Sequence, residues 1–378
     1  MTPFTNKTRF RTWKLAAVGA TASVLLLAGC SGGSEGSEGG EGETFTLKYS
    51  TVLNENHFYS KAFQKWMDRV TEATDGQVQF EAFYNASLCS QADAVDCAES
   101  GTADIVFVAA NQHQELAANN VGFIPFQTLD YRAIPVALTQ LAEEYPEMDE
   151  EYAQRNQKRL FFTSGDPVIV AMNKQTTPEK LSDLAGMQIG ASSLIGIAMD
   201  QLGASPVAVA PEDIYDSLER NLIQGQVYTL STVAAQGILE VAPNVYGLND
   251  AGIQAANNFN INLDTYERLP ESARKAMDDA SRAMHDDDIL GSEIDAALVT
   301  SCQAVADLGG TVGTLGGDAT GEQWKEDSLK VIVERFKENA TGKISDVDAF
   351  VARYMELVAE YKDPDALSLE QHCEAAGV

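Results

Sequence analysis

The sequence predicts an α/β protein of two domains, and three observations carry that expectation. Strand-like runs alternate with amphipathic helical runs from Phe45 onward, the order that builds a largely parallel sheet with helices on its faces. The same rhythm restarts after a mainly helical stretch that ends near Gln157. The length of 378 residues suits two ordinary domains better than one. With 44% hydrophobic residues and 8% aromatics, the chain can fill sizeable cores, which excludes global disorder.

Taken in order, residues 45–52 alternate apolar and polar side chains and predict a first strand. Residues 59–74 space Phe63, Trp66, Met67 and Val70 along one helical face. Asp75-Gly76 predicts a turn and 77–84 a second strand. A helix over 90–101 and a short buried strand over 103–109 follow. Residues 135–157 are mainly helical, and 159–172 hold one or two strands able to cross to another domain. In the second region, 178–185 predict a short helix opened by a Thr cap and Pro. Strands over 186–190, 206–210 and 223–230 then alternate with helices over 193–202 and 211–220. Residues 244–263 are strand-like with loops, and 269–308 predict one unusually long helix, broken near Gly291. Amphipathic helices over 324–337 and 344–361 end the pattern.

The first residues give an address. Lys7, Arg9, Arg11 and Lys14 precede a small and apolar run over 15–29. That run is shorter than the about 20 residues a membrane span needs, so residues 1–29 are expected to be a signal segment. Leu27-Ala28-Gly29-Cys30 resembles the lipobox of bacterial lipoproteins. On that resemblance the Cys30 sulfur carries lipid and becomes the mature N-terminus. The Gly, Ser and Glu tract that follows, residues 30–44, is expected to be a flexible tether. The chain is thereby expected to work outside the cytoplasm, held to the cell membrane.

Charge narrows the partners. The sequence has 26 Lys and Arg against 56 Asp and Glu, a net charge of −30. That acidity excludes binding to a nucleic-acid backbone and disfavours electrostatic adhesion to an anionic membrane. With Cys30 set aside, Cys89, Cys97, Cys302 and Cys373 remain, an even number that predicts two disulfides in an oxidising exterior. Three pairings are possible, with Cys89–Cys97 as a local loop and Cys302–Cys373 as a clamp on the tail favoured. No CxxC or CxxH pair supports a metal site instead.

Machinery for catalysis is not found in the sequence. There is no nucleophile elbow, zinc-protease helix or Walker phosphate loop. His57, His113, His285 and His372 lack metal-ligand spacing, and His285 and His372 are expected to be solvated. The glycines of 309–317 follow a helix and predict a helix stop and turn, and Asp286-Asp-Asp288 predicts a solvated helix face. No cofactor, metal or enzymatic role is expected.

The order of elements and several strings resemble the solute-binding proteins of TRAP transporters, the DctP-like family. Carriers of the likeness are Leu47-Lys-Tyr-Ser-Thr51, Asn56-His-Phe-Tyr-Ser-Lys-Ala62, Gly101-Thr-Ala-Asp-Ile105, Met172-Asn-Lys174 and Leu181-Ser-Asp-Leu-Ala-Gly-Met-Gln-Ile189. Ile214-Tyr-Asp-Ser-Leu218, Leu222-Ile-Gln-Gly-Gln226 and Leu269-Pro270 follow in the family order. The resemblance implies a periplasmic-binding-protein-like fold of two α/β domains, with a hinge and a long domain-spanning helix, closing on a ligand. Domain I would take 45–165 plus about 245–285, and domain II 166–244 plus about 286–378. The partners it implies are a small solute and the permease subunits of a TRAP transporter, with the protein acting as a monomer.

At the ligand wall the sequence departs from the family. Gly190 stands where the family's carboxylate-binding Arg would be, Tyr228 where an Asn usually meets the ligand, and Ala109 where several relatives are acidic. Guanidinium grips carboxylate in two-pronged fashion, so its loss predicts a solute that is not a simple carboxylate. The expected lining is Phe58, Tyr84, Ala109, Gln112, Asp166, Gly190, Ser192, Tyr228 and Asn258, mostly neutral. Arg132 and Arg159, the cations expected nearest the cleft, are read as surface ion pairs. A surface-tethered ligand sensor is the alternative reading, and a tethered hydrolase a third.

Overall fold

The computed structural model describes residues 44–378, apart from 192, 211, 212, 249, 250, 254 and 255. The expected signal segment, Cys30 and nearly all of the tether lie outside the described residues. Its first strands are β1 (Phe45–Ser50), β2 (Val78–Phe83), β3 (Ile105–Val108) and β4 (Gln157–Phe162). Next come β5 (Val168–Met172), β6 (Gln188–Gly190), β7 (Ser205–Val207) and β8 (Gly225–Thr229). β9 (Asn244–Leu248), β10 (Asn258–Asn262) and β11 (Val312–Leu315) follow.

They form two sheets, ordered β2-β1-β3-β10-β4 and β11-β9-β5-β8-β6-β7. Each sheet is mainly parallel and carries one antiparallel strand, β10 in the first and β5 in the second. The chain therefore crosses between sheets three times, through residues 163–167, again between β9 and β10, and last through the helices between β10 and β11. The first two crossings touch: the Val168 N–H donates to the Gly252 carbonyl at 3.1 Å, and the Thr163 N–H to that of Asn257 at 2.7 Å.

Gly252 is required at this junction. Its φ is +69°, and a Cβ there would stand 2.5 Å from the Thr128 carbonyl oxygen. Gly252→Ala combines a left-handed backbone with overpacking against main chain, and is expected to cost about 2–3 kcal/mol. Chemical denaturation of that variant against wild type checks the value.

The helix Phe58–Ala73 buries its apolar stripe on the first sheet. Phe63 stacks on Phe259 at 4.2 Å and on Trp66 at 4.9 Å. The Trp66 indole donates to Ser281 Oγ at 3.0 Å and so binds the helix Glu271–Asp286 over the same layer. The expected long helix is two helices, Glu271–Asp286 and Ile289–Asp307. The break falls at Asp287-Asp288, where Asp288 takes φ 51°, ahead of Gly291. Gly291 instead leaves room for an ion pair, since a Cβ there would lie 2.7 Å from Arg132 Nε.

Other elements differ at points where local pattern is weak. The glycine-rich 309–317 holds β11, which pairs in parallel with β9. A helix, Leu230–Ala235, follows β8 directly. Residues 178–185 supply only the short turn of helix Leu181–Leu184. Cys89 is bonded to Cys97, and Cys302 to Cys373, which fastens the C-terminal helix Leu369–Ala375 to the helix Ile289–Asp307.

Candidate functional site

Open α/β sheets present their ligand crevice beyond the carboxyl ends of parallel strands. Here β1, β3 and β4 share one direction, so their carboxyl ends lie together, beside the first turn of the helix Phe58–Ala73 and the start of β10. In the second sheet β6, β8 and β9 likewise run together, and β5 begins at their carboxyl ends. The first two crossing segments join these two edges, so the edges face one another. Residues between them are buried: Tyr59 is 5% exposed and Asp166 0%.

At its centre the Tyr59 hydroxyl accepts from Asn257 Nδ2 at 3.2 Å, and its ring lies 5.2 Å from that of Phe107. Burial raises the Tyr59 pKa, and the charge of Asp166 and the Tyr228 hydroxyl add to that shift across the gap. Asp166 Oδ2 accepts the Ser231 N–H at 3.0 Å. Oδ1 is buried without a hydrogen-bond partner among the described residues. Burial pushes this carboxyl up, opposed by the hydroxyl and N–H of Ser231 and by the Thr229 hydroxyl, which lie beside it. Tyr228 is also raised by burial.

The expected lining divides. Asp166 and Tyr228 meet in this cluster. Phe58 is buried in the same turn, with its ring 4.1 Å from that of Tyr59. Ala109 follows β3 at the same edge, partly exposed. Tyr84 follows β2 and packs edge-on to Tyr49 at 6.3 Å. Gln112 is exposed in the turn after β3. Ser192 lies outside the described residues. Asn258 is placed elsewhere: it faces the interior behind the first sheet, accepting from the Tyr152 hydroxyl at 3.0 Å and donating to Asn260. Asn260 passes the chain to Gln157, which donates to the Val95 carbonyl. Its amide is spent in that network.

The two arginines are also engaged. Arg132 grips Asp288 with two nitrogens at 2.8 Å and Asp295 at 2.6 Å. Arg159 pairs with Asp149 at 2.7 Å and stacks 3.9 Å above Phe162. Arg159 is thus no surface ion pair: its side chain is 11% exposed, burial lowers its pKa, and Nη1 has no hydrogen-bond partner among the described residues. Neither is paired with a cleft residue.

Gly190 ends β6 in register with Gln226 of β8. A Cβ on Gly190 would stand 1.8 Å from Gln226 Oε1. The amide of Gln226 therefore fills the room that any larger residue at 190 would need. Gly190→Ala is expected to displace the amide and forfeit its 3.0 Å bond to the Val227 carbonyl, at about 1 kcal/mol. In a Gln226→Ala background the same change is expected to cost almost nothing. Urea unfolding of the four proteins gives that coupling directly.

Tyr59, Asn257, Ser231, Gln226 and His57 escaped the sequence reading. The Asn-His-Phe-Tyr string was a usable signal for two of them. His57 caps the helix, its Nδ1 accepting the Tyr59 N–H at 3.2 Å, so its proton sits on Nε2. His285, expected to be solvated, is packed against Phe161 at 6.3 Å. His372 is half-buried near Tyr131. Burial lowers both His57 and His285 to about 4.

In the unfolded chain these two histidines titrate near about 6.5. Between that pH and about 4 the unfolded chain binds protons that the folded chain refuses, so stability falls as pH drops through the window. Each contributes up to about 1.4 kcal/mol per pH unit there. The urea midpoint is expected to fall between pH 7 and 4.5, with a shallower fall in His285→Gln.

Two surface cavities lie apart from the cleft. One of ≈ 550 Å³ is lined by Thr314, Glu370, Gln371 and Glu374. The other, of ≈ 330 Å³, is lined by Tyr266, Arg274, Lys275 and Asp278. Neither includes a residue of the Asp166 cluster, and no group of acidic, His or Cys side chains fit to hold a metal occurs among the described residues.

Comparison with known proteins bears on this arrangement. The family model of bacterial extracellular solute-binding proteins, family 7 (DctP), matches residues 49–338. A solute-binding protein of Roseobacter denitrificans is 25% identical over 205 residues, 53% of this chain but only 61% of that protein's length. A C4-dicarboxylate-binding periplasmic protein of Rhodobacter capsulatus is 23% identical over 300 residues, 78% of this chain and 85% of its own. A TRAP solute-binding protein from Rhodoferax ferrireducens, solved in complex with copurified benzoate, has TM-score 0.74 and 20% identity. That match covers 84% of this chain and 98% of the other, and the fold is the same.

Proposed function

The chain belongs to the bacterial extracellular solute-binding proteins of family 7, and on that premise we propose that it captures a small organic solute and delivers it to a TRAP-type membrane transporter. It works outside the cytoplasm, tethered to the membrane through lipid on Cys30, and performs no catalysis. Residues 45–165 with about 245–285 form one closing body, and 166–244 with about 286–378 the other.

The solute is neutral or weakly cationic rather than a simple carboxylate. Asp166 carries this reading: a fully buried carboxyl with an unpartnered oxygen, at the meeting of both sheet edges. A buried carboxylate seeks an N–H, an O–H or a cation, and repels another carboxylate. Tyr59, Tyr228 and Phe58 supply apolar walls, and Arg132 and Arg159 pair with aspartates outside this cluster. The net charge of −30 adds a weak bias against anions, screened beyond about 10 Å.

Relatives named for C4-dicarboxylates and a neighbour holding benzoate make the contrast testable. Native mass spectrometry of freshly purified protein is expected to find a retained solute that is uncharged or amine-bearing. A retained dicarboxylate would overturn the assignment.

A further inference from the structure

Gln226 is 6% exposed and is the second residue of β8, in register with Gly190, the last residue of β6. Its Nε2 donates to the Val227 carbonyl at 3.0 Å. A carbonyl only accepts, so the nitrogen is the atom that must face it, which fixes the orientation of the amide. Oε1 then points over Gly190, into the place a side chain there would occupy. It is buried and has no donor among the described residues. A buried acceptor left without a donor is costly in a folded protein. Tyr228, two residues further along β8, lies on the same face of the strand, within reach of Tyr59 and the Asp166 cluster.

We propose that Gln226 determines the specificity of the cleft, its Oε1 accepting a hydrogen bond from an N–H or O–H of the solute. Gly190 serves this role by having no side chain, which lets the amide lie over the strand end. The second sheet thus presents an acceptor, and a carboxylate placed there would set acceptor against acceptor. Together with Asp166 this makes a wall of acceptors, suited to a polyamine, an amidine or an amino sugar. The inference rests on the non-carboxylate reading above and adds the residue that selects the donor.

The test is a thermal-shift panel on the full mature protein, with putrescine, benzamidine and glucosamine set against succinate, benzoate and glucuronate. The best stabiliser is then titrated by calorimetry into wild type, Gln226→Leu and Asp166→Asn. We expect a donor-bearing compound to stabilise best, and its affinity to fall at least about tenfold in Gln226→Leu, the equivalent of about 1.4 kcal/mol. Circular dichroism melts of both variants establish that they are folded. Unchanged affinity in Gln226→Leu with a loss in Asp166→Asn overturns the role of Gln226 and leaves the broader reading standing. A panel in which only carboxylates stabilise, or none of the six compounds does, overturns both.

Discussion

Asp166→Asn is expected to abolish useful binding of the solute while leaving the protein as stable as before, or more so. The substitution keeps an oxygen to accept the Ser231 N–H and removes only the charge. Losing one partner of a buried, hydrogen-bonded charge interaction costs about 2–5 kcal/mol, on the order of thirty- to several-thousand-fold in affinity. Stability moves the other way. Burial raises the folded pKa of Asp166, so the charged form is penalised in the folded protein, and that penalty grows as pH rises above the unfolded value. A neutral amide escapes it. Were Asp166 only a structural cap for Ser231, the Asn oxygen would still serve as that cap and solute affinity would hold. Melting curves and titration on the same two proteins separate the cases.

Removing the Cys302–Cys373 bond is expected to give the second large effect, on stability. The bond closes a chain separation of 71 residues, so it restricts the unfolded ensemble by about 4 kcal/mol in the chain-entropy account. It joins two buried sulfurs, at 0% and 1% exposure, and fixes the last helix against the helix Ile289–Asp307. Cys302→Ala with Cys373→Ala is expected to lower the melting temperature by roughly 5 °C. The Cys89–Cys97 pair spans a separation of 8, and its removal is expected to cost less. Equal losses from the two pairs would contradict the entropic account.

Much of the fold was legible because its signals are local. Phe63, Trp66, Met67 and Val70 announce a helix by spacing alone, and the strand–helix alternation follows from side-chain pattern. β11 was not legible, since Val312-Gly-Thr-Leu315 is short and glycine-bearing and becomes a strand only through pairing with β9. The crossing topology was visible as two strands in 159–172, but which sheet each joins depends on long-range pairing. At the site, Asp166, Tyr228 and Gly190 could be singled out from sequence, and the expected lining included them. Asn258 could not be placed: a period of two tells which residues share a face, but not whether that face meets a cleft or a helix. Asn258, Asn260 and Asn262 share the polar face of β10, and that face is sealed inside the protein. Gln226 stands in the Leu222-Ile-Gln-Gly-Gln226 string, which marks a strand but not a site, because its meaning comes from the missing side chain across the strand at Gly190.

The central claim is that this cleft has exchanged an anion-binding wall for an acceptor wall. Titration calorimetry of succinate into the mature protein tests it most directly. The account predicts no binding tighter than about 1 mM, equivalent to about −4.1 kcal/mol. Micromolar binding of succinate, unaffected by Tyr228→Ala or Asp166→Asn, would contradict it and place the solute on some other cation of the chain.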